Sequence, residues 1–152
     1  MSLCPELRRL QAEHARWLEE LGVEEGREDR LLALWEEEIL PHCRREEEVL
    51  VPELSRRIPE ADASILLALS DHVGLRRLAR ELRAARGPER REVAARLARR
   101  LAEHVAFEER TLFAAAQAEL GSERLAALGR ELEGERKQAG DVRPSTKRGR
   151  KP

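Results

Sequence analysis

The sequence predicts an all-α protein: an up-down antiparallel four-helix bundle, then a short fifth helix and a disordered basic tail. Three observations predict it. Leu, Ala, Glu and Arg dominate while β-branched residues are scarce and aromatics make up only 3%, a balance that favours helix over sheet. Apolar residues recur at steps of three and four through four long segments, as one face of a helix requires. Short connections carrying Gly or Pro join the segments, so consecutive helices run antiparallel as neighbours. With 152 residues the chain can build one domain with its own core.

The first helix runs from about Pro5, a residue suited to a first turn, to Leu21. Gly22 and Gly26 bracket a polar break. The second spans about Glu28 to Arg57 and holds Pro41 and Pro52, each of which removes a backbone hydrogen bond and bends a helix. Pro41 either aims the residue after it or marks a tolerated bend. Pro59 makes the next break, and the third helix covers about Ala61 to Ala85, ended by "RGPER" at 86–90. The fourth runs from about Pro88 to Leu120, stopped by Gly121, and a short fifth covers about Ser122 to Leu132. The bundle domain is thus expected over residues 1–133. From Gly134 the apolar periodicity is lost, and seven Lys or Arg stand against one Glu and one Asp, so residues 134–152 read as a disordered basic tail.

Charge and cysteine content exclude several classes. Lys+Arg (29) nearly cancel Asp+Glu (30), which gives no reason for the whole domain to bind nucleic acid or an anionic membrane. Two cysteines, Cys4 and Cys43, provide neither a disulfide framework nor a CxxC metal knuckle. The N-terminus has no apolar signal region and no apolar run reaches membrane-spanning length, so a cytoplasmic, soluble protein is expected.

The apolar stripes carry the functional signal. They read Leu7, Leu10, His14, Trp17, Leu21 in the first helix and Leu32, Trp35, Ile39, His42, Glu46, Val49 in the second. The third gives Ile65, Leu69, His72, Leu75, Ala79, Leu82, and the fourth Val93, Leu97, Leu101, His104, Glu108, Leu112. Each helix thus turns one of the chain's four histidines inward. Their separations of 28, 30 and 32 residues match half a helix, a turn and half a helix back, so the imidazoles converge in one layer. Glu46 and Glu108 follow His42 and His104 at i+4, which stacks them on the same face.

A single inward histidine is usually a hydrogen-bonded core residue. Two inward carboxylates beside four imidazoles need a compensating cation, because burying unpaired charge costs several kcal/mol. Nitrogen and oxygen donors without a thiolate suit iron, manganese or zinc, and six protein ligands exceed a four-coordinate zinc site. Two metals bridged by Glu46 and Glu108 use the set more fully and leave about four of twelve octahedral positions for a bridging oxygen, water or a small diatomic. A single iron, manganese or zinc is the alternative.

His14, then "HCRREE" at 42–47, "DHVGLRRL" at 71–78 and "HVAFEERTLF" at 104–113 together resemble the hemerythrin-like, or HHE cation-binding, family over about residues 5 to 132. The resemblance implies a four-helix bundle with a non-haem di-iron centre that binds O2, NO or peroxide, or senses iron or redox state. Carried over by position, its ligands are His14, His42, Glu46, His72, His104 and Glu108. The oxygen-carrying members have a further histidine four residues after the one on the third helix, where this chain has Arg76. A guanidinium is no ligand; Arg76 is expected to pair with Glu46, Glu108 or Glu38, and Asp71 and Glu38 are the nearest auxiliary carboxylates.

The remaining features weigh less. Cys43 is turned about 100° from His42 and reads as a packing residue, and Trp17 and Trp35 as packing beside the metal layer. "KRGRKP" resembles an AT-hook, in which Arg148 and Arg150 flank Gly149 to enter an A·T-rich minor groove; a plain solubilising tail is the simpler reading. Binding or sensing is favoured over catalysis on peroxide or oxygen, because the Glu-x-x-His pairs of ferritin-type oxidases are missing. A DNA-tethered regulator is the third reading.

Overall fold

The structure, a computed structural model, describes residues 3–22 and 26–141. Its helices are α1 (Pro5–Leu21), α2 (residues 27–57), α3 (Asp62–Ala84), α4 (residues 87–119) and α5 (Ser122–Asp141), and no strand occurs among the described residues. Pro5 opens α1, and Gly26, at φ 63°, takes the left-handed conformation that leads into α2. A 3₁₀ turn at Pro59–Ala61 joins α2 to α3. The bundle is completed by α3 packing along α4, while α5 lies against α1 and the middle of α2.

Two helices are interrupted by π-helical turns. In α2 these are Trp35–Ile39 and Glu46–Leu50, in α4 Glu109–Phe113. Prolines account for the first two: Pro41 and Pro52 have no N–H to return to the carbonyl four residues back. The donors just before them reach five residues back instead, Leu40 N–H to Trp35 O and Val51 N–H to Glu46 O. In α4 the Thr111 hydroxyl donates to Phe107 O at 2.7 Å, a side-chain bond that competes with the regular ladder and bends it. Each π turn carries one residue more than an α turn, so the buried stripe of α2 runs Glu46, Leu50, Leu54 and leaves Val49 half-buried. The expected stripes of α1 and α4 are otherwise buried as read, with Leu21 only partly so. In α2, Leu31 and Leu34 are buried in place of Leu32, and in α3 Ala68 in place of Leu69.

The apolar core falls into two clusters. One gathers Trp17, Trp35, Leu75, Leu97 and Leu101. The other gathers Leu7, Leu54, Ile65, Leu112, Phe113 and Leu128. Four histidines and two glutamates, all at most 3% exposed, are buried with them, as are Arg45 and Glu53.

The fifth helix is longer than expected, running to Asp141 where the sequence suggested an end near Leu132. Leu125, Leu128 and Leu132 anchor it in the second cluster. Beyond them Glu, Arg, Lys and Gln are strong helix formers, and Arg136 pairs with Glu133 at 3.2 Å. Residues 134–141, expected to belong to the disordered tail, are therefore helical. The hook residues Arg148, Gly149 and Arg150 lie outside the described residues.

Buried Glu53 fastens α5 to the end of α2. Its carboxylate accepts from Arg124 Nε at 2.5 Å and Nη2 at 2.6 Å, from Arg56 at 2.6 Å and from Arg57. Arg124 above all, helped by the other two, holds the Glu53 carboxyl down at about 2.

Candidate metal centre

The four imidazoles meet between the core clusters in two pairs. His14 of α1 and His42 of α2 place their Nε2 atoms 3.0 Å apart. His72 of α3 and His104 of α4 do the same at 3.1 Å. Glu46 and Glu108 lie between the pairs, each 1% exposed, and each turns one oxygen to either side. Glu46 Oε1 is 2.9 Å from His42 Nε2 and Oε2 is 3.5 Å from His72 Nε2. Glu108 Oε2 is 3.8 Å from His14 Nε2, while Oε1 is 3.3 Å from His104 Nε2 and 3.5 Å from His72 Nε2.

Acidic residues hold the outer nitrogens. His14 Nδ1 meets Glu109 at 3.0 Å, His42 Nδ1 meets Glu13 at 2.6 Å, and His72 Nδ1 meets Glu47 at 2.8 Å. Asp71 stands 3.5 Å from His104 Nδ1. These carboxylates are fixed in turn, Glu13 by Arg45 at 2.7 Å, Glu47 by Arg76 at 2.8 Å, Glu109 by Gln11 at 3.0 Å and Asp71 by Arg100. A ring whose Nδ1–H donates to a carboxylate presents a lone pair at Nε2, the tautomer that binds metals. For His14 and His42 the two Nε2 atoms face one another at hydrogen-bond distance, so only one proton fits between them, and a metal ion would take its place. Aromatic rings shield this half. Phe113 stacks on His14 with centroids 5.5 Å apart, and Trp17 meets the His42 ring edge-on at 4.7 Å.

The site draws positive charge. Burial pushes His42 down, but the charge of Glu46 and the hydrogen bonds that the ring donates to Glu13 and Glu46 outweigh it and raise it to about 9. His72 is raised likewise, against its burial, by Cys43 and both central glutamates. His14 and His104 are lowered, chiefly by burial. Burial also pushes Glu46 up, yet the neighbouring imidazoles hold it well below the usual carboxylate range, while burial and the charge of Glu46 push Glu108 up. Glu46 Oε2 and both Glu108 oxygens are buried with no hydrogen-bond partner. Orphaned anionic oxygens at this depth are costly unless a cation meets them, so the donor set fits a metal.

The Hemerythrin HHE cation binding domain matches residues 3–116, a span that contains all four histidines and both central glutamates. The chain belongs to the hemerythrin HHE cation-binding family. No curated protein and no solved structure matches it.

Within this HHE domain the auxiliary residues stand elsewhere than the sequence suggested. Arg76 pairs with Glu47 and not with Glu46, Glu108 or Glu38, because Glu47 is the carboxylate that α2 turns toward α3. Asp71 faces the outer nitrogen of His104, away from the central oxygens. Glu38 is bound by Arg16 and by Trp17 Nε1 at 3.1 Å. Sequence reasoning missed Glu13, Glu47 and Glu109, although each neighbours one of the six central residues. Cys43, read as packing, is a buried member of the first apolar cluster. The donor atoms of Cys43, Glu46, His72 and His104 all lie within 4.8 Å of one another, as do those of His14, His42, Glu46 and Glu108. Among the described residues no helix is long and apolar enough to cross a membrane.

Proposed function

We propose that this HHE domain holds two non-haem irons, one at the His14–His42 pair and one at the His72–His104 pair, with Glu46 and Glu108 bridging them. The carrying observation is that each central carboxylate sends one oxygen to each imidazole pair. Such a pair of irons supplies reversible redox chemistry and open positions for a small ligand, since eight protein donors leave about four of twelve octahedral positions free. The proposed role is to bind or sense O2, NO or peroxide. The protein's own part is to fix the tautomers through Glu13, Glu47 and Glu109, and to keep bulk water from the His14 side with Phe113 and Trp17.

The test is elemental and optical. Anaerobically iron-loaded protein should carry close to two irons per chain, and exposure to air should produce the near-ultraviolet absorption of an oxo-bridged ferric pair. Uptake well below one iron, with no such band, rules the centre out.

A further inference from the structure

We propose that Cys43 is a metal ligand, donating its sulfur to the ion held by His72 and His104, so that the two metal positions differ in chemistry. The inference rests on the metal centre proposed above and specifies the donors of one half.

The placement follows from the helix. His42 aims at His14, and the next residue, turned about 100° round the axis, faces the other pair. Cys43 lies at the edge of the first apolar cluster, and its sulfur is within 4.8 Å of the ligating atoms of Glu46, His72 and His104. Cys43 is 2% exposed, so no water competes for its sulfur from outside. A second observation points to the same spot. Glu46 Oε2, the oxygen turned toward His72, is fully buried and accepts no hydrogen bond. A thiol, two imidazoles and the bare oxygens Glu46 Oε2 and Glu108 Oε1 converge there from α2, α3 and α4, a donor set of two nitrogens, two oxygens and one sulfur. A thiolate suits iron or zinc; the thiol proton leaves to solvent as the metal enters. The His14–His42 half has nitrogen and oxygen donors only.

Cobalt(II) tests this in the full-length chain. A sulfur-to-cobalt charge-transfer band should appear in the near-ultraviolet as the metal is added. It should vanish in Cys43→Ala and persist in Cys4→Ala. Wild-type protein that takes up cobalt without such a band, or a Cys43→Ala variant with the band intact, overturns the proposal and leaves the metal centre standing. No cobalt uptake by wild type is a separate failure: it overturns the centre, and this ligand with it.

Discussion

Glu13 shows how far the behaviour of an imidazole depends on its neighbours. It lies next to His14 in the chain but holds His42 on the adjoining helix, at 2.6 Å, while Arg45 braces it from behind. Glu13→Ala should leave the helices intact and weaken metal binding by about 10- to 100-fold, because the His42 ring loses its orientation and tautomer; competition against a chelator measures it. Glu108 separates binding from stability. Its oxygens are buried and unpartnered, so Glu108→Gln should stabilise the metal-free protein by about 1–3 kcal/mol while metal uptake is lost. Urea unfolding of the metal-free protein checks it, and a destabilised variant would mean that the carboxylate has a favourable role without metal. The meeting of the four imidazoles was legible in the sequence because histidine is rare there and each lies on an apolar stripe. The carboxylates behind them were not. In a chain with 30 acidic residues, nothing but the direction of a side chain distinguishes Glu13 or Glu47 from a solvated surface residue.

At the scale of elements, the helices were readable from periodicity and from Gly and Pro, while the π turns were not. Pro41 and Pro52 announced a disturbance, but a proline can kink a helix or widen it, and only the paired donors Leu40 and Val51 decide between the two. The widened turn at Glu46–Leu50 is what moves Leu50 into the core in place of Val49. If Pro41 serves to aim His42, Pro41→Ala should restore a regular turn, hold or raise the melting temperature, and lower metal affinity. Unchanged affinity would make the proline a tolerated bend. Residues 134–141 were misread for the opposite reason: loss of apolar periodicity looked like loss of structure, yet a helix anchored by three buried leucines continues on propensity and the Arg136–Glu133 pair.

Across the whole molecule, Glu53 ties the end of α2 to α5. Its carboxyl sits at about 2, below its ordinary 4.5, so its contribution is present above pH 4.5 and is lost as the pH falls through 2. The stability gap between wild type and Glu53→Gln should be about 2–3 kcal/mol near neutrality and close progressively in acid. Urea titrations over a pH series measure it, and a gap independent of pH would show that the ion pairs contribute nothing.

The division of the apolar interior has a further consequence. Trp17 and Leu101 belong to one cluster, Leu54 and Phe113 to the other, and the histidines and glutamates of the metal centre leave three carboxylate oxygens without a hydrogen-bond partner. Chelated protein should therefore come apart as two semi-independent ends with a loose waist, with amide exchange fastest around the histidines. An ion seated there would rivet the ends together, making the bundle melt as one cooperative body and its waist the last part to open.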